Sequence, residues 1–192
     1  MGRDALLQTI LEDLRKQRQS LTTQHFLVIG PRGTGKTHLT ELLARRLAGA
    51  GEFPWRTVRL PEEGDFDGLA AVLGKIVERD LGIPRNWDAP MPPVEVSVET
   101  LAQRRAETAK PLLVIMENLP TVLARGLRGD QEINHFRALL MNDPSFTLLA
   151  TAPRYFEEIG RENRPLYDFF RVFILHELKS DEIEELGVVT PV

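Results

Sequence analysis

Residues 26–37 read FLVIGPRGTGKT. The first four form an unbroken apolar run with the length of a buried strand, and the last eight fit G-x-x-x-x-G-K-[ST] in full. Drawn from this chain's own composition, such a match arises by chance with a probability of roughly 0.2%. Leu39, Leu42, Leu43 and Leu47 then repeat at helical spacing, which predicts a helix over 36–48. A strand, this loop and a helix in succession make a phosphate-binding loop. Gly30, Gly33 and Gly35 permit torsions and close backbone approach that a side chain would block. Successive N–H groups then point at phosphate oxygens, aided by the partial positive charge of the helix N-terminus. The expected contact set is Gly30, Pro31, Arg32, Gly33, Thr34, Gly35, Lys36, Thr37 and His38. Lys36 is expected to reach the β- and γ-phosphates, and the Thr37 hydroxyl to ligate Mg²⁺. Binding of a nucleoside triphosphate is the strongest expectation the chain carries.

Outward from the loop, four more short apolar segments read as strands: 55–60, 112–116, 146–151 and 171–175. Near-continuous apolar runs suit a parallel sheet covered on both faces. Between them lie helical stripes: Leu6, Leu7, Ile10, Leu11 and Leu14; Leu69, Val72, Leu73, Ile76 and Val77; Ile133, Phe136, Leu139 and Leu140. Strands alternating with helices predict an α/β fold with right-handed crossovers in one domain spanning 1–192. Residues 82–97 (GIPRNWDAPMPPVEVS) hold four of the 13 prolines and read as a surface loop. A short helix is predicted over 181–186, with Ser180 as its N-cap.

Composition narrows the function classes. The chain has 192 residues and no cysteine, which excludes a disulfide scaffold, a thiolate zinc site and a cysteine nucleophile. Its four histidines are far apart and show no metal-ligand spacing. No apolar run approaches the ~18 residues of a membrane span, so the expectation is a soluble, cytoplasmic protein without a membrane partner. Lys and Arg number 24 against 28 Asp and Glu, net −4, which argues against a dedicated nucleic-acid binder. Arg15-Lys16-Gln17-Arg18, Arg45-Arg46 and Arg104-Arg105 fall on polar helix faces and read as solvated, with DNA contact the sharper alternative.

A phosphate loop that holds Mg²⁺ calls for a carboxylate at the end of a neighbouring strand. The run LLVIM, 112–116, ends in Glu117 and Asn118. In one register Glu117 takes the metal-side position and Asn118 that of the water-activating carboxylate. In the other, Met116 faces the metal and Glu117 is the base. The first is preferred, because four apolar residues then precede the acid and no methionine faces the cation. Asn118 cannot accept a proton as a general base. Hydrolysis is then slow, or Glu117 serves both metal and water.

With these motifs the chain resembles the P-loop ATPase core of AAA+ and STAND proteins, origin-recognition-like ATPases among them, over nearly its whole length. Gly2-Arg3-Asp4 resembles the box that opens such modules near the adenine pocket, and GPRGTGKT and LVIMEN resemble their Walker A and Walker B motifs. Thr151, at the end of the fourth strand, resembles their sensor 1 residue. Residues 161–178 resemble the segment that carries an arginine finger, with Arg164 as first candidate and Arg161, Arg171 and Arg154 as others. The resemblance implies a five-stranded parallel sheet in the order 5-1-4-3-2, a three-layer fold, and ATP or ADP with Mg²⁺ as cofactors. It also implies Arg3 at the nucleotide and self-association or other domains as partners. A helical lid would follow the core in this family; the chain ends at Val192 before one, which reads as an excised core.

Three readings follow. The first is an ATP-driven switch or motor module with slow Mg²⁺-dependent hydrolysis, its arginine supplied in trans. The second, motivated by Asn118, is a hydrolysis-deficient ATP-binding scaffold. The third is a small-molecule kinase, disfavoured because no arginine-rich lid lies between the fourth and fifth strands.

Overall fold

The computed structural model describes residues 3–17, 23–49, 55–62, 66–83 and 90–177. Five strands among them pair in parallel, in the order β2-β3-β4-β1-β5. These are β1 (Phe26–Ile29), β2 (Arg56–Leu60), β3 (Leu112–Met116), β4 (Phe146–Ala152) and β5 (Arg171–Ile174). This is the expected order read from the other edge, and each predicted strand appears within one residue of its predicted ends. Seven helices accompany them: α1 (Arg3–Gln17), α2 (Lys36–Gly49), α3 (Leu69–Leu81), α4 (Val94–Thr108), α5 (Leu119–Gly126), α6 (Gly129–Asn142) and α7 (Glu157–Gly160).

Alternation along the central strands builds two cores. Leu27 and Ile29 of β1, with Leu112, Val114 and Met116 of β3, face a cluster closed by α3, α5 and α6. Phe26, Val28, Leu113 and Ile115 face the opposite way, against α1 and α2. Strands buried on both sides have no polar face, which is why their sequences read as runs and not as alternation.

The proline-rich segment requires a correction. It was expected to be loop through residue 97, but α4 begins at Val94, preceded by Pro93 with φ −55° and ψ 155°. Proline pre-sets the backbone for a helix start, and Ser97 N–H already donates to the Pro93 carbonyl. Residues 84–89 of that segment, Gly2 of the opening box and the predicted helix 181–186 lie outside the described residues. Helix α5, directly after β3, has no counterpart in the sequence reading.

His25 ties the lower end of the sheet together. Its Nε2–H donates to the Leu140 carbonyl at the end of α6 (2.9 Å), and Leu148 N–H donates to its Nδ1 (3.0 Å). The ring stacks on Phe169 at 5.3 Å. Burial pushes its pKa from 6.5 down to about 4, outweighing the opposing hydrogen bond to Leu140. The unfolded chain therefore takes up a proton that the folded one refuses. The stability this neutral ring contributes is whole above pH 6.5 and is lost as pH falls through 4. At 1.36 kcal/mol per unit the loss is about 3 kcal/mol. Urea unfolding at pH 7 and pH 4 should show this excess loss in the wild-type chain and not in His25→Gln; equal losses would place the acid sensitivity elsewhere.

Candidate functional site

The loop 30–35 leaves β1 at the carboxyl end of the sheet, where ligands of open parallel sheets bind. Gly30 N–H donates to the Ala152 carbonyl at the end of β4. A Cβ at residue 30 would lie 2.4 Å from the Leu175 carbonyl oxygen, so only glycine fits. Gly33 and Gly35 both have φ +84°, in the left-handed region. Thr34 shapes the loop from inside: its hydroxyl donates to the Pro31 carbonyl at 2.9 Å and its side chain is buried. Arg3, on α1, donates to the Thr34 carbonyl at 2.7 Å and to the His176 carbonyl at 3.4 Å. It thereby fastens the loop to α1 and to the segment after β5.

Beyond the loop lies an open cavity of about 580 Å³. Arg32, Gly33, Gly35, Lys36 and Thr37 line one side. Pro61 and Glu62 after β2, Glu117 and Asn118 after β3, and Thr151, Ala152 and Pro153 at the end of β4 line the rest. The strand order makes these ends adjacent, so motifs more than 80 residues apart in sequence meet. A second hollow, of about 350 Å³ and largely apolar, adjoins the loop between Arg3, Asp4, His38, Leu39 and Leu42. Its place beside the loop suits a nucleobase, as the opening-box expectation requires.

Lys36 Nζ donates to the carbonyls of Gly30 and Pro31, at 2.6 and 2.7 Å. Desolvation, and then the nearby Arg32 charge, lower its pKa. The ammonium thus sits in a place short of negative charge, which an anionic phosphate would supply. Asn118 has φ 50° and ψ 62° and caps α5, its carbonyl accepting from Thr121 and Val122 N–H. Asparagine is among the few non-glycine residues that tolerate this conformation. Asn118 N–H donates to the Thr151 hydroxyl at 3.1 Å, coupling the end of β3 to the end of β4.

Two residues absent from the sequence reading complete the site. Arg59 of β2 pairs with Glu117 Oε1 and, at 3.1 Å, with Glu41 of α2. Glu62 accepts a hydrogen bond from the Asn118 side-chain amide and lies 3.6 Å from the Arg32 guanidinium. Both stand at the carboxyl end of β2. Searching the polar residues at that end of each predicted strand would have found them.

The donor set suits Mg²⁺, a hard cation that takes oxygen ligands. The Thr37 hydroxyl and Glu117 line one cavity, and Arg59 engages Oε1 of Glu117, so Oε2 is the oxygen for a cation. Among the described residues no group of three or more acidic or histidine side chains forms a metal cage. Such an ion would therefore draw most of its ligands from phosphate and water. Arg59 opposes it: a unit charge about 5 Å from a divalent ion costs over 1 kcal/mol even in a water-like medium. We expect Arg59→Met to lower the Mg²⁺ concentration that half-saturates nucleotide binding about tenfold. An unchanged requirement in a fluorescent-nucleotide titration would mean that Glu117 does not hold the ion.

The arginine candidates are distributed differently. Arg164 is held by Asp130 (3.0 Å), Glu157 (3.5 Å) and Glu158 (4.0 Å), away from the cavity. Arg161 pairs with Glu157, and Arg171 pairs with Asp13 and lies over the Phe173 ring. Arg154 is exposed, one residue past the cavity-lining Pro153. Of the basic pairs, Arg15, Lys16, Arg45 and Arg46 are exposed, and Arg104 reaches the buried Asp80 at 4.0 Å. Among the described residues no helix is long and apolar enough to cross a membrane.

No family model matches the chain, and comparison with curated proteins finds no match. Solved structures do match in fold. The ORC2 protein of Aeropyrum pernix, solved as ADPNP-ADP complexes, superposes with a TM-score of 0.71 at 17% identity, over 96% of this chain and 50% of that one. The ORC1 protein of the same organism in complex with DNA gives 0.67 at 16%, over 96% and 47%. The Walker-type ATPase PABY2304 of Pyrococcus abyssi gives 0.63 at 13%, over 99% and 60%. The chain thus shares the fold of these solved structures, and it spans about half the length of the two origin-recognition proteins.

Proposed function

We propose that this chain is an ATP-binding core that acts as a nucleotide-dependent switch, hydrolysing ATP slowly with Mg²⁺. The loop N–H groups and Lys36 bind the phosphates. Thr37 and Glu117 would hold Mg²⁺, which neutralises phosphate charge. Thr151 contacts the γ-phosphate or the water beside it, and Arg3 and His38 border the base. One observation carries this reading: the loop 30–37 and the polar ends of β2, β3 and β4 surround a single cavity. ATP as the nucleotide draws support from the fold match to ORC2, solved with ADPNP and ADP. DNA and partner subunits are proposals of a further step, drawn from the ORC1 structure with DNA.

Phosphate release from ATP, with and without Mg²⁺ and across protein concentration, tests the reading. We expect Mg²⁺-dependent turnover that rises per subunit with concentration, since an arginine supplied in trans is worth about 10³-fold or more. Failure to bind ATP would overturn the proposal. Binding without release would favour the scaffold reading, for which Asn118 in place of an acid is the specific observation.

A further inference from the structure

Two carboxylates line the cavity among the described residues, Glu62 and Glu117. Glu117 is paired through Oε1 with Arg59. Asn118 carries an amide and cannot take a proton. Its Nδ2 donates instead to Glu62 Oε2. The backbone explains the meeting. Parallel pairing sets Leu60 opposite Met116, and the same offset of 56 carried two residues further brings Glu62 level with Asn118.

We propose that Glu62 is the catalytic base of ATP hydrolysis, held in position by Asn118, so that the water-activating carboxylate stands after β2 and not after β3. This rests on the hydrolytic reading above. In the step, Glu62 takes one proton from a water whose oxygen bonds to the γ-phosphorus. The bond from that phosphorus to the bridging oxygen breaks, and ADP leaves with the electron pair. Glu62 then returns the proton to phosphate or solvent. The Asn118 amide holds Oε2, and Oε1, which lies 3.6 Å from the exposed Arg32 guanidinium, is the oxygen that accepts the proton. Asn118 is itself fixed through its backbone by Thr151 and by the start of α5. It acts through Glu62 and is a positioning residue.

The pairing also changes how Asn118 is to be probed. Asn118→Glu alone would set two carboxylates against each other. The informative variant exchanges the pair, Glu62→Asn with Asn118→Glu, which keeps one acid and one amide across the same contact. On the full chain we expect Glu62→Gln to bind ATP within about twofold of wild type and to release phosphate at least about 10²-fold more slowly. The exchanged pair should recover to within about tenfold of wild type, which a merely structural role for Glu62 would not produce. Wild-type rates in Glu62→Gln, with wild type itself active, would overturn the role of Glu62 and leave the ATPase reading standing. ATP binding without phosphate release by wild type at any concentration would overturn the hydrolytic reading, and the role of Glu62 with it.

Discussion

Lys36→Ala should weaken ATP binding at least about a hundredfold and leave the fold intact. The Lys36 ammonium is turned onto two carbonyls of its own loop, and desolvation and then the Arg32 charge hold its pKa below the usual value. Phosphate oxygens would replace those carbonyls with charge-assisted bonds, each worth roughly 1.5–3 kcal/mol. Two such bonds correspond to about 10²-fold or more in affinity. Lys36→Arg should not rescue binding, because a planar fork cannot take the place of a point charge in so tight a loop. Titration of a fluorescent ATP analogue reads the effect directly. A variant that binds within about threefold of wild type would remove Lys36 from the phosphate site. Unchanged thermal unfolding in the absence of nucleotide would separate lost binding from lost structure.

Asp80→Ala should cost about 3–5 kcal/mol of stability. Asp80, on α3, is almost fully buried, with 2% of its side chain exposed. It pairs with Arg56 at the start of β2, and Arg104 of α4 approaches it at 4.0 Å. One carboxylate therefore serves two helices and the edge strand. Its removal leaves Arg56, with 12% of its side chain exposed, without its carboxylate partner, the case in which a broken ion pair costs most. For a chain of this size the melting temperature should fall by about 10 °C. Asp80→Leu combined with Arg56→Met should regain most of that loss, because the pair is then apolar and Arg104 keeps Glu107 at 3.7 Å. If the single variant melts within about 2 °C of wild type, Arg56 finds water in its place and the pair contributes little.

The candidate site was legible wherever its chemistry is local. Glycines at 30, 33 and 35 with Lys36 and Thr37 define the loop within eight residues. Two of those glycines have positive φ, and the third meets a carbonyl that any side chain would strike. The central strands β1, β3 and β4 were equally legible, since burial on both faces writes itself as a short apolar run, whereas the edge strands β2 and β5 are only partly buried and carry arginines. Residues 82–97 were read as a surface loop, because prolines at 90, 92 and 93 suggest one, and the last of them in fact precedes α4. The meeting of Arg59 with Glu117, and of Glu62 with Asn118, could not be read at all. The resemblance implied that β2 lies beside β3, but the register that aligns these pairs is set by packing over more than 50 residues of intervening chain. The sequence alone determined the glycine-shaped loop at the tip of β1, because local backbone torsions suffice for that. Tertiary structure decided which carboxylates face it, because parallel pairing aligns residues that no local pattern connects.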